Sequence, residues 1–347
     1  MVRPDYSEAV NGDWLLRGRD GRLSVYWPAN DAVLCRAERV PGGPWDSPRQ
    51  VGGEQSVQAD FAVGRGADCY AHLAAWRPTV SGESGLVHST HFRPLLAPLD
   101  WAPIGHPNKK GERTGTPAVA VDAEGRAYLF VRNRGKGVHT INQKERGGWN
   151  GWHDLKGSRV DEELVAVTGE SGLVEVYATN PTGILSWHQQ EPGARPVAAD
   201  PLPVRIEPGT LSALPTSKEH TTLFFADPEG MLYAWRPGGE PSALIAAVGP
   251  GPVSTARCVL DGHDCTLLAQ RSASGRVAFA AYPTEQESAG LWWTESGPQL
   301  PAGTRVALAE DAEGRVVAAS VTPDGVLRLA RQKDEPGLAL AAWQENL

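Results

Sequence analysis

The chain has 347 residues, a formal net charge of −8 and a sequence pI near 5.6. That acidic balance argues against a general nucleic-acid binder, which needs a basic footprint, and no run approaches the 18 apolar residues of a membrane-spanning helix. At 41 % hydrophobic and 21 % charged, with 39 glycines and 28 prolines spread evenly, the composition is globular, without a linker, and large enough to bury a core unaided.

The first residues, Met1 to Glu8, lack the apolar stretch of a secretory signal, which predicts a cytoplasmic protein. Residues 1–12 are expected to form a cap or tail. Beyond them glycines followed by a mostly apolar residue recur at Gly85, Gly137, Gly183, Gly230, Gly275 and Gly325, at steps of 52, 46, 47, 45 and 50. The pentapeptide Asp122-Ala123-Glu124-Gly125-Arg126 returns unchanged at 311–315, 189 residues later, or four periods of about 47. Both series sit in turns between short alternating runs, where Asp holds the turn and Gly takes the positive φ. No window of 12 or more residues has a 3.6-residue period, so helices should be nearly absent.

Taken in chain order, the repeats start near Asp13, Val57, Pro117, Leu164, Thr210, Thr255 and Arg305. Repeat two has a long b–c loop, Arg77–Ser84, and a long loop, Gly105–Gly115, leads into repeat three. Repeat three divides into strand a around 117–122, b around 126–132, c around 137–143 and d around 149–155. Repeat seven carries its own d strand at about 339–344. The expected fold is all-β: one seven-bladed β-propeller, 1–347, of four-stranded antiparallel blades at approximately 13–54, 55–110, 115–158, 162–206, 208–250, 253–300 and 303–346. A parallel β-helix, the structural rival, has shorter coils and fewer hairpins. Closure is expected from packing of blade seven on blade one.

Repeats one, three and four share a finer pattern. Gly137-Val138-His139-Thr140-Ile141-Asn142-Gln143 leads through Gly147-Gly148 to Trp149-Asn150-Gly151-Trp152-His153-Asp154-Leu155-Lys156-Gly157. Repeat four has Gly183-Ile184-Leu185-Ser186-Trp187-His188-Gln189, and repeat one has Gly42-Gly43-Pro44-Trp45, then Val51-Gly52-Gly53. This resembles the repeat of the PLL-type bacterial lectin propellers, which implies binding of fucose or O-methylated sugars between blades. Repeats five, six and seven keep the glycine turns but read as having lost the paired Trp and the Gln, which predicts one asymmetric site.

Twelve tryptophans make indole stacking on a sugar a natural expectation. Trp149, Trp152 and Trp187 are the candidates from the repeat, with inter-blade packing as the alternative role. Trp14, Trp76 and Trp235 have no repeat partner, and Trp76 is a candidate stacking wall. Between His106 and Arg146 nine basic residues face four acidic ones. Lys109, Lys110 and Arg113 fall in the loop into blade three, and Arg132, Arg134 and Lys136 in its b–c loop. Both loops open on one rim, so with His106 they would form a patch for an anionic group, unless Asp161, Glu162 and Glu163 pair with them. His88 and His91, three apart on a strand, should point to opposite faces. No metal-ligand or cofactor spacing and no catalytic motif is present. Cys258 and Cys265 flank a predicted turn and can face each other, as buried thiols in a reducing compartment.

The reading is a cytoplasmic lectin-like propeller that binds a glycan or an anionic small molecule, with no cofactor, metal, nucleic acid or membrane. Two alternatives stand beside it. One is a lone propeller enzyme (cyclase, lyase or hydrolase) acting on a specialised metabolite at the channel mouth; the other is a scaffold for an acidic protein partner.

Overall fold

Asp122 shows how these residues build a blade. Its carboxylate accepts the N–H groups of Glu124 and Arg126, both at 3.0 Å, and Gly125 turns the chain at φ 76°. Ala118–Val121 and Ala127–Arg132 leave that turn as paired antiparallel strands. Asp311 repeats the device on Glu313 and Arg315, at 2.9 and 3.0 Å, which is why the pentapeptide recurs.

The computed structural model describes residues 10–58, 60–79 and 82–345. Seven sheets follow one another along the chain, each of four sequential antiparallel strands, here lettered a to d from the centre outward. Strands a are Leu15–Arg17, Phe61–Arg65, Ala118–Val121, Leu164–Thr168, Ser212–Pro215, Ser254–Leu260 and Arg305–Glu310. The molecule is a seven-bladed β-propeller, as its repeats predict. Among the described residues the only helical turn is Glu287–Ala289.

Three details differ from the sequence reading. Strand d of blade three is His153–Lys156 and starts later than expected, because Trp149 pairs with Gln143 only through an isolated bridge. Repeat two's b–c loop is shorter than 77–84, since strand b runs to Pro78 and strand c starts at Ser84; residues 80 and 81 of it lie outside the described residues. Residues 10–12 are no loose tail. Val10–Gly12 pairs in parallel with Phe61–Val63, giving blade two a fifth strand inside the ring, next to the innermost strands of blades three and four. Gly12 is required there, as a Cβ would lie 2.1 Å from the Val63 carbonyl oxygen. Residues 1–9 of the expected cap lie outside the described residues.

The core is divided into seven apolar walls, one at each junction of neighbouring blades. The two-residue period of a strand divides each blade between two walls. In blade three Ala118, Ala120, Tyr128 and Phe130 face blade four, while Val119, Leu129 and Val131 face blade two. The closing wall sets Trp14, Leu15, Leu23, Val25, Trp27 and Trp45 of blade one against Ala307, Val317, Ala319, Val321, Leu327 and Leu329 of blade seven. Among the described residues no strand is exchanged across it.

A polar clasp supplements that wall. Glu38, 0 % exposed, accepts the N–H of Leu23 at 2.9 Å and an ion pair from Arg331 of blade seven. Arg331 also reaches Asp311 at 3.3 Å. Replacing Arg331 by Met strands the Glu38 carboxylate, which should lower the unfolding free energy by about 3 kcal/mol. Urea denaturation measures this. A double variant, Arg331→Met with Glu38→Gln, should recover part of the loss; an Arg331→Met chain as stable as the parent would show that the clasp contributes nothing.

Candidate functional site

Most of the tryptophans serve the walls. The indole N–H of Trp101 donates to the Val51 carbonyl at 3.0 Å, that of Trp187 to Leu155 at 2.8 Å and that of Trp293 to Ala246 at 2.8 Å. Each bond reaches the outer part of the preceding blade, so one side chain both fills the junction and satisfies its own donor. Trp187 is 3 % exposed and Trp76 is fully buried, donating to the Gly115 carbonyl at 2.7 Å. Their ring faces are taken up by packing, which corrects the expectation of stacking surfaces at these two positions. Trp14 and Trp235 are buried too, so packing accounts for all three tryptophans that lack a repeat partner.

The glutamine of the repeat is also structural. Gln143, Gln189 and Gln332 follow strand c and accept the N–H of the first residue of strand b: Ala127 at 3.0 Å, Val174 at 2.9 Å and Val316 at 3.1 Å. Glu38 does this in blade one. Repeat seven therefore keeps its Gln, and Trp343 donates to Ser296 Oγ at 3.4 Å, so it has diverged less than its sequence suggests.

At one junction the glycine at the end of strand d is uncrowded, where its equivalents meet a tryptophan. At Gly52 a Cβ would come within 2.1 Å of Trp101, and at Gly297 within 2.5 Å of the Trp343 indole. At Gly105, which ends strand d of blade two (Ala102–Gly105), the same atom would meet nothing within 4 Å. The tryptophan in the position of Trp101 and Trp343 is here Trp152, half-buried and, like Ile104 and Trp149, packed against the wall between blades two and three. Trp149 is half-buried as well, with its ring edge-on to His88 at 5.0 Å. These are two of the expected aromatic candidates, and the fold brings them together.

His88 belongs to a buried group beneath Trp149. Its Nε2 lies 3.1 Å from His72 Nδ1, the two rings stacked at 5.3 Å. His91 points to the other face, as its spacing predicts, and meets the Tyr26 hydroxyl of blade one at 2.7 Å. Burial pushes His72 down to about 4 and, with the neighbouring His72, His88 to about 3; burial also takes His91 to about 4. All three are neutral in the fold. A histidine whose pKa falls on folding contributes stability that is full above about 6.5 and is lost as pH drops toward the folded value. Each should therefore cost about 2 kcal/mol at about pH 5. Melting temperature against pH measures this, and a chain melting alike at neutral pH and at pH 5 would show that these rings stay protonatable in the fold.

The rim cations are divided in their surroundings. Arg113 pairs with the buried Asp60, Arg132 with Glu162 at 3.3 Å and Arg134 with Glu112 at 3.2 Å. Of the acids expected to neutralise the patch, Glu162 does so once, while Asp161 accepts the Thr179 hydroxyl at 2.7 Å. Glu163 is pushed up by burial against the opposing charge of Arg305. His106 organises its loop: Nε2 meets the Glu112 carbonyl at 2.8 Å, Nδ1 accepts the Asn108 N–H at 3.0 Å, and the ring lies 5.3 Å from Trp76. Lys109, Lys110 and Lys136 are exposed. Cys258 and Cys265 stand opposite each other on adjacent strands, both buried and both free thiols; burial, then the neighbouring Cys265, pushes Cys258 up to about 12.

No known family profile matches the chain, and no characterised protein matches it by sequence. Solved structures do resemble it. The BP39L lectin from Burkholderia pseudomallei aligns over 98 % of this chain and 99 % of its own, with a TM-score of 0.72 and 15 % identity. A PL25 ulvan lyase aligns over 96 % and 94 %, with a TM-score of 0.58 and 10 % identity. The Aleuria aurantia lectin AAL, solved with Fucα1-6GlcNAc, aligns over 83 % and 96 %, with a TM-score of 0.51 and 12 % identity. At such identities the likeness is one of fold: this chain has a propeller architecture found in sugar-binding lectins and in a polysaccharide lyase.

Proposed function

We propose that the protein binds a carbohydrate in the groove between blades two and three, with Trp149 and Trp152 as its stacking surface. The observation that carries this reading is that two partly exposed indoles, Trp149 and Trp152, pack on one wall, at a junction where Gly105 meets no neighbour while Gly52 and Gly297 meet tryptophan. An indole face suits the apolar face of a sugar ring, and its N–H remains for a hydroxyl. The lectin neighbours support the same class of ligand. Binding is favoured over catalysis because the carboxylates Asp60, Glu112 and Glu162 of this sector are each engaged by an arginine.

A glycan array that includes fucosides and O-methylated sugars, followed by calorimetry on the best ligand, tests this. Trp152→Ala should weaken binding about tenfold, equivalent to about 1.4 kcal/mol. Trp187→Phe should keep the affinity and lose about 2 kcal/mol of stability, since it removes the bond to Leu155 and leaves a small cavity in the wall. Silence across the array, or unchanged affinity in Trp152→Ala, would overturn the assignment.

A further inference from the structure

The rim above this groove carries a lysine where most of the ring's b–c turns close on glycine; among the described residues blade one, with Asn30 at φ 52°, is the other b–c turn with a side chain at positive φ. In four blades the turn closes on glycine: Gly82, Gly230, Gly275 and Gly325 have φ of 79°, 85°, 88° and 80°. Each donates its N–H to the carbonyl three residues back, at 2.9, 2.9, 3.0 and 2.8 Å. Blade three makes the same bond, Lys136 to Asn133 at 3.0 Å, but at φ 60° with a lysine. The substitution is repeated at the end of strand d. Val51 and Leu155 take equivalent indole bonds, yet the residue that follows is Gly52 (φ 73°) in blade one and Lys156 (φ 70°) in blade three. Arg159, three residues on, has φ 53°.

A side chain in the left-handed region crowds its own backbone, which is why glycine is the usual occupant. Such strain persists where function requires the side chain. Among the described residues seven non-glycine residues have positive φ, and three of them are these cations on one rim. They share one surface: the Val160 N–H donates to the Lys136 carbonyl at 2.9 Å, and a Cβ on Gly137 would lie 2.9 Å from the Lys156 carbonyl oxygen. The Arg134–Glu112 pair ties in the loop that carries Lys109 and Lys110. Lys156 pairs with Asp154 at 2.9 Å. Lys109, Lys110, Lys136 and Arg159 are exposed and make no ion pair among the described residues, in a chain of net charge −8.

We propose that this rim binds the anionic groups, carboxylate or sulfate, of an acidic glycan whose neighbouring rings occupy the groove. This rests on the carbohydrate reading above and specifies its ligand class. Trp152 and Lys156 are four residues apart along one outer segment, about 13 Å, so a short oligosaccharide spans both. The continuity of cations with an aromatic groove favours a glycan over a plain polyanion. Exposed cations attract through water, so the preference should be sensitive to salt.

The test is calorimetry with oligogalacturonate, a sulfated galactan oligomer and a neutral galactan, each at low and at physiological ionic strength, on the parent and on Lys136→Gly/Arg159→Gly. Glycine suits both backbones, so the double variant should melt at or above the parent's temperature. The expected result is at least tenfold tighter binding of an acidic than of the neutral oligomer at low salt, shrinking with salt and abolished in the double variant, whose neutral binding is kept. The two acidic probes distinguish carboxylate from sulfate. Equal affinity for acidic and neutral oligomers overturns the acidic preference and leaves the carbohydrate reading standing. Absence of all glycan binding overturns both. An acidic peptide or RNA bound as tightly as the acidic oligomers overturns the glycan assignment in favour of a general polyanion surface.

Discussion

Closure of the ring between its first and last blades governs everything else in this molecule. A propeller whose first and last blades exchange a strand is latched by backbone hydrogen bonds; here, among the described residues, blades one and seven each take all four strands from their own stretch of chain, and the latch is made of side chains. Trp14, Trp27 and Trp45 supply most of the bulk of that wall, and small residues opposite, Ala307 and Ala319, let them approach. Arg331 then lies between two acids from opposite blades. Burial would raise the Asp311 pKa, but bonds from the Arg315 and Glu313 backbone and the Arg315 guanidinium outweigh it and hold the carboxyl low. The acid therefore remains charged and available to Arg331.

Because every junction must be filled, most of what the repeats have in common is structural. The recurring Asp, Gly and Gln answer local backbone needs: a turn carboxylate for two N–H groups, a positive φ, an acceptor for the first N–H of strand b. The needs met by Asp and Gly are tied to neighbours in sequence and were legible without a structure, as was the opposite facing of His88 and His91; the acceptor role of Gln143 toward Ala127, 16 residues away, was not. The burial of Trp76 and Trp187 was not legible. Whether an indole faces a ligand or a neighbouring blade depends on which carbonyl lies opposite in another repeat, and a single repeat holds no record of that. Gln332 escaped notice for a related reason. Its surrounding letters have changed, while the bond it makes to Val316 has not.

The junction at Gly105 lay further beyond a sequence reading. Trp152 fits the pattern of its equivalents letter for letter, and Gly105 looks like another turn glycine. Only the lack of any neighbour within 4 Å of a Cβ at Gly105 separates it from Gly52 and Gly297, each met by a tryptophan. The rim, by contrast, showed its excess of cations at once, but not that Arg113, Arg132 and Arg134 are already committed to acids. Asp60 and Glu112 belong to other loops, and pairing across loops is a property of the assembled ring.

The cysteines acquire a use from where the walls place them. Cys35 is sealed in the junction of blades one and two, and Cys258 with Cys265 in that of blades six and seven, while Cys69 sits half-exposed in a turn of blade two. The seven walls are separate, so each thiol answers to the opening of its own junction and not to the molecule at large. The chain thus carries two native gauges on opposite sides of the blade seven–blade one seam and a reference thiol outside both. Rates of thiol modification would tell whether the two junctions that flank that seam open together or separately.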